Sequence, residues 1–143
     1  MKRIWVRLAV VIGLLAMVVA CGSDKYGDAN ELFKDQAKVT EDYVNGLESA
    51  NDADAVAATI DRYTDGMKEL IPRIKAFHEN YPELKDLAEN GKVPEELKDV
   101  TERLNAATAK IQAATMNMMK YMMNPKVQQA MQRMGQELSA IAK

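Results

Sequence analysis

The chain has 143 residues, a formal charge of −2, 48% hydrophobic residues, a single cysteine and a single histidine. That length suits one domain of ordinary size. One cysteine and one histidine exclude an internal disulfide framework and the usual zinc-ligand sets.

The first element is a leader. Lys2, Arg3 and Arg7 precede an uncharged run from Leu8 to Ala20, which ends Val18-Val19-Ala20 and meets Cys21. A basic start, a short apolar stretch and a small residue before the cleavage point describe a secretory signal peptide over residues 1–20. At ~1.5 Å per residue the run is about 20 Å long, short of the ~30 Å of a bilayer core, which argues against a permanent span. Val18-Val19-Ala20-Cys21 resembles the lipobox of bacterial lipoproteins. The resemblance implies cleavage before Cys21 and acylation of its sulfur and new amino terminus, so Cys21 is the lipidation site and a membrane anchor. It also implies a cell-envelope location. Gly22, where retained inner-membrane lipoproteins commonly carry aspartate, favours the inner leaflet of the outer membrane, with the domain facing the periplasm.

Without the leader the chain keeps 16 basic against 21 acidic residues, a formal −5, which speaks against a nucleic-acid partner. Residues 21–30 hold the lipidated cysteine and a polar stretch with two glycines and no periodicity, expected to be a tether. Residues 31–143 are expected to form the folded domain.

That domain is helical by pattern. Residues 31–50 carry Phe33, Ala37, Val44 and Leu47, interrupted by polar Thr40. Residues 54–80 carry Val56, Ile60, Tyr63, Met67, Leu70, Ile74 and Phe77, and Tyr81 continues their alternating spacing of four and three, which keeps one stripe facing a partner. Asn51 and Asp54 are the expected capping pair of this helix. Pro72 lies off the stripe, and a kink is expected there. Residues 82–91 read as a short helix that Gly91 ends.

A long helix is expected over 94–123, with Leu97, Val100, Leu104, Ala107, Ile111, Ala114 and Met118 as its stripe and Pro94 in its first turn. Asn124-Pro125 starts another, with Val127, Met131, Met134, Leu138 and Ile141. Its stripe does not continue the register of Met118. The fold class predicted is all-α, an up-and-down antiparallel helical bundle of four main helices; the alternative is three, with a kinked last helix. Long regular stripes can also be satisfied between chains, so a homodimer stays open.

Segments 48–54 and 87–93, reading Glu48-Ser49-Ala50-Asn51-Asp52-Ala53-Asp54 and Leu87-Ala88-Glu89-Asn90-Gly91-Lys92-Val93, resemble interhelical connections of cytochrome b562-type bundles. The resemblance implies a bundle. It implies no haem, because that family's ligands are a methionine on the first helix and a histidine late on the last, and this chain has neither.

Methionine is the compositional bias. Seven of the ten lie between residues 116 and 134. Met118, Met131 and Met134 fall on core stripes, whereas Met116, Met119 and Met123 form a second face at spacings of three and four. Three readings follow for that face: core filling, an adaptable apolar surface for peptides, or capture of Cu(I) by soft thioethers. Burial of the three would remove the last two. No metal site is assigned, no cofactor is implied, and no phosphate loop or nucleophile motif occurs. His78 lacks the partners that a metal site or a triad needs, and the acidic pairs Asp61/Asp65 and Glu41/Asp42 fall on outer faces, where solvation is expected. The function expected is non-catalytic: a lipid-anchored envelope protein acting on a protein partner, with Cu(I) buffering or holdase-type binding as the alternative.

Overall fold

A computed structural model describes residues 25–84 and 90–139. The leader, Cys21, residues 85–89 of the expected short helix, and Ile141 lie outside the described residues. Four α-helices follow one another: α1 (Gly27–Ser49), α2 (Ala53–Asn80), α3 (Glu95–Met118) and α4 (Pro125–Leu138), with a 3-10 turn at Met119–Tyr121 between the last two. There is no strand among the described residues. Over the described residues the chain is an all-α helical bundle of four main helices.

The break between α3 and α4 comes from local chemistry. Asn124 turns extended, its side-chain oxygen accepts from the Lys126 amide at 2.9 Å, and Pro125 opens the new helix. Proline needs no amide partner at that position. Pro94 is likewise one residue outside α3, with Glu95 and Glu96 in the first turn. Helix α2 runs through Pro72, which is exposed.

Two boundaries differ from the sequence reading. The tether expected to reach residue 30 is shorter, because α1 begins at Gly27. Tyr26 and Ala29 are buried beside Leu97 and Val100, and the Tyr26 ring lies 5.6 Å from that of Tyr81. These two residues extend the apolar stripe of α1 backwards into a stretch whose composition is otherwise polar. The cap of α2 is Asp52, not the Asn51/Asp54 pair: its carboxylate accepts from the Ala55 amide at 2.7 Å. Asp54 faces Lys126 instead.

The cross-helix contacts set the topology. Helices α1 and α2 are antiparallel, with the Asp35–Arg73 ion pair towards one end, the Tyr43 and Tyr63 rings 4.5 Å apart, and Gly46 against Thr59 towards the other. Helix α3 lies along α1 in the same direction: Asn30 donates to the Glu96 carbonyl, Arg103 pairs with Glu41, and Asn117 donates to the Leu47 carbonyl. Helix α4 lies along α2, also in the same direction, through Lys126–Asp54, Arg133–Asp61 and Lys68–Glu137. Direction therefore alternates along the chain as expected. The outer helices, however, pack mainly on like-directed neighbours, α3 on α1 and α4 on α2. Residues 119–124 carry the chain across from α3 to α4.

The core has three parts. At the end where α1 turns into α2, all four helices contribute, including Leu47, Ile60, Met118 and Val127. At the opposite end Tyr26, Leu84 and Leu97 pack together, and between them Leu32, Met67 and Leu70 meet Leu138. Thr40, Thr59 and Thr64 are buried as well. Each hydroxyl donates at 2.8 Å to the carbonyl four residues back, so Thr40 does not interrupt the stripe.

Candidate functional site

The end of α3 separates its methionines by direction. Backbone angles at Met118, Met119 and Met122 are all right-handed helical, tightening into the 3-10 turn, so side chains advance by about 100–120° per residue through this stretch. Ala114, Met118 and Tyr121 then fall on one side, and Met116, Met119 and Met123 on the other, within about 120° of one another. Solvent exposure follows. Met118 is 5% exposed in the core, whereas Met116, Met119 and Met123 are 68%, 61% and 85% exposed. Met122, on the flank, is 37% exposed and joins the face, which the sequence reading did not anticipate. Met131 and Met134 are half-buried against the core, as their stripe requires.

Core filling thus holds for Met118, Met131 and Met134 and fails for Met116, Met119 and Met123. The second trio is exposed to solvent near one end of the bundle. Asn117 fixes its orientation: the side-chain amide donates to the carbonyls of Leu47 (2.8 Å) and Ala50 (3.3 Å), and its oxygen accepts from Lys120 Nζ at 3.1 Å. Nothing in the sequence marked Asn117 or Lys120, since their partners depend on the packing of α3 on α1.

His78 is at the other end. It lies near the end of α2, exposed, its ring edge-on to Phe77 at 5.5 Å. The Phe77 and Tyr81 rings beside it pack with Tyr26 and Phe33 at the start of α1. A helix of 28 residues, about 42 Å, separates the two ends, so His78 cannot join the methionines as a ligand. Among the described residues no group of three His, Cys, Asp or Glu could hold a metal ion.

Three of the four acids in the acidic pairs are held by arginines at the bundle surface. Arg103 clasps Glu41 with two hydrogen bonds of 2.7 and 2.6 Å and holds its carboxyl below the usual range. Arg133 reaches both Asp61 (2.9 Å) and Asp65 (2.5 Å) across from α4, and Glu137 (3.0 Å) along its own helix. Each of these carboxylates is tied to a guanidinium, so none is placed as a free acid or base of a hydrolytic pair. Asp42 is exposed on the rim of an open groove of about 760 Å³ between α1 and α2. Val39, Tyr43 and Tyr63 help line that groove, and burial pushes the two tyrosine hydroxyls up.

The fold defines the chain as a small all-α bundle with one exposed methionine face. It matches no protein-family model, no curated protein and no solved structure. Among the described residues no helix is long and apolar enough to cross a membrane.

Proposed function

We propose that this protein is a non-catalytic, lipid-anchored envelope protein that docks a protein partner on the face of Met116, Met119 and Met123. The carrying observation is the exposure of those three thioethers along the end of α3 and the turns that follow it, beside core residues such as Ala114 and Met118. Exposed apolar groups gathered on one surface mark interaction sites, and flexible, polarisable methionine suits partners of varied shape. The leader and the Val18-Val19-Ala20-Cys21 lipobox supply the anchor, and Gly22 the outer-membrane assignment.

Placement in the bundle agrees with this role. At most about 17 Å of extended chain separates Cys21 from Tyr26. Helix α1 then runs 23 residues, about 34 Å, before reaching the end where Asn117 and the methionines sit. The face lies at the end of α1 opposite Gly27, which supports a role in contacting envelope proteins.

The test is in-cell crosslinking of the full-length lipoprotein, recovery and mass spectrometry, run beside a Met116→Asp/Met119→Asp/Met123→Asp variant. One dominant envelope protein, lost in the variant, supports a dedicated partner. Many unfolded clients, equally lost, indicate a holdase, and a self-crosslink through these positions indicates a homodimer. Recovery that the variant leaves unchanged overturns the reading. The same exposure favours a second reading, Cu(I) held by the three thioethers. A Cu(I) titration of the full-length protein tests it, and equal affinity in the aspartate variant would dismiss it.

A further inference from the structure

A thioether is an apolar group that a mild two-electron oxidant converts into a polar one. Buried methionines are shielded from that chemistry, and exposed ones are open to it. In this chain the division falls within eight residues: Met118 is enclosed by the core, while Met116, Met119 and Met123 face solvent. Met67 is also buried.

We infer that Met116, Met119 and Met123 form a hydroperoxide-reactive site whose oxidation makes the face polar and ends docking while the bundle stays folded. In each step a sulfur lone pair attacks the distal oxygen of the hydroperoxide. The O–O bond breaks, an S–O bond forms, and the displaced oxygen takes the proton from the transferred oxygen and leaves as an alcohol, or as water when the oxidant is hydrogen peroxide. Sulfur loses two electrons and the peroxide gains them. The product is a chiral, polar sulfoxide in place of a soft apolar side chain. The core keeps its packing because Met118 and Met67 are buried, Met131 and Met134 are half-covered against it, and the three reactive side chains lie outside it. A bound partner covers the face and shields it, so the free protein is the form that reacts. The loss of docking rests on the function proposed above; the order of reactivity rests only on exposure.

Trypsin supplies an internal control. Lys110, Lys120 and Lys126 place Met116, Met118 and Met119 on one peptide and Met122 and Met123 on the next. The full-length chain, reconstituted into phospholipid vesicles and treated with hydrogen peroxide, is digested and sequenced by mass spectrometry over time. Met116, Met119 and Met123 should oxidise about tenfold faster than Met118. Equal rates within that first peptide would overturn the assignment. Partner recovery after peroxide should fall about fivefold for the parent and stay unchanged for Met116→Leu/Met119→Leu/Met123→Leu, which keeps the apolar surface without an oxidisable sulfur. A parent that is oxidised at all three positions and still recovers its partner would overturn the switch. The docking reading would then be judged separately by the aspartate variant.

Discussion

Asn117, on α3, donates its side-chain amide to the backbone carbonyl of Leu47, the last buried residue of α1, at 2.8 Å. The end of an α-helix leaves its last carbonyls without partners. No left-handed glycine closes α1, whose C-cap is Ala50 in an extended conformation. A neighbouring helix supplies the missing donor, and its second contact, to the Ala50 carbonyl, spans the start of the turn into α2. This bond also sets the rotation of α3, and therefore which methionines face outward. Asn117→Ala should cost about 1–2 kcal/mol, since it removes a hydrogen bond and leaves a partly buried carbonyl without its donor. Asn117→Asp should cost at least as much, because a carboxylate presents only lone pairs to the two carbonyls. Urea denaturation measures the loss, and hydrogen exchange should show the last turn of α1 opening first. Unchanged stability in both variants would mean that water replaces the amide.

The two sets of methionines should separate by stability. Met118 is buried with Leu47, Ile60 and Val127, so Met118→Ala should destabilise by about 2–5 kcal/mol. Met123→Ala should stay within about 0.5 kcal/mol, because the side chain is almost wholly in solvent. Chemical denaturation of the two variants is the check. A large loss at Met123 would place that side chain in an interface within or between molecules of this chain and remove it from the free face.

The stripes were legible in the sequence because helical periodicity reports which side of a helix is buried. Ile60, Leu97, Ala107 and Val127 all face inward as their spacing requires. The Asn124-Pro125 start was legible too, because cap chemistry is local. Which helix each stripe meets was not legible, since any apolar neighbour satisfies the same period. The parallel pairing of α3 with α1 and of α4 with α2 depends on partners such as Glu41 and Arg103, 62 residues apart. Separations of 72 and 68 residues hid the roles of Asp61 and Asp65, which read as surface charge until Arg133 was placed across from them. Tyr26 was missed for a different reason: a single aromatic residue decides the start of α1 against a polar background.

Two glycines should respond in opposite directions to alanine. A Cβ on Gly46 would stand 2.6 Å from Thr59 Cγ2 and 2.9 Å from its Oγ1. Thr59 is buried and its hydroxyl is committed to the Ala55 carbonyl, so it cannot turn aside without losing that bond. Gly46→Ala should therefore push α1 from α2 and cost about 1–3 kcal/mol. Gly135, within α4, has nothing within 4 Å of the position a Cβ would take. Gly135→Ala should stabilise by about 0.5–1 kcal/mol, because alanine loses less backbone freedom on entering a helix. Thermal melts of the two variants decide the matter. Equal and small effects would mean that α1 and α2 are not in close contact at Thr59.

Acid should weaken the bundle through its cross-helix glutamates. Lys68 and then Arg133 hold the Glu137 carboxyl below its ordinary value of 4.5, and Arg103 does the same for Glu41. A carboxyl whose value is lowered by folding contributes stability that is fully present above the unfolded value. That contribution is lost as pH falls through the folded value, because protonation is then easier in the unfolded chain. The denaturation midpoint should hold steady above pH 4.5 and decline below it. These pairs are solvent-exposed, so the decline should shrink in high salt. Glu41→Gln and Glu137→Gln should each flatten the acid limb, Glu41→Gln by loosening α3 from α1 and Glu137→Gln by loosening α4 from α2. Midpoint curves for the variants that run parallel to that of the parent below pH 4.5 would show that neither pair tightens on folding, and that α3 and α4 are held by Leu97, Val100, Val127 and their apolar neighbours alone.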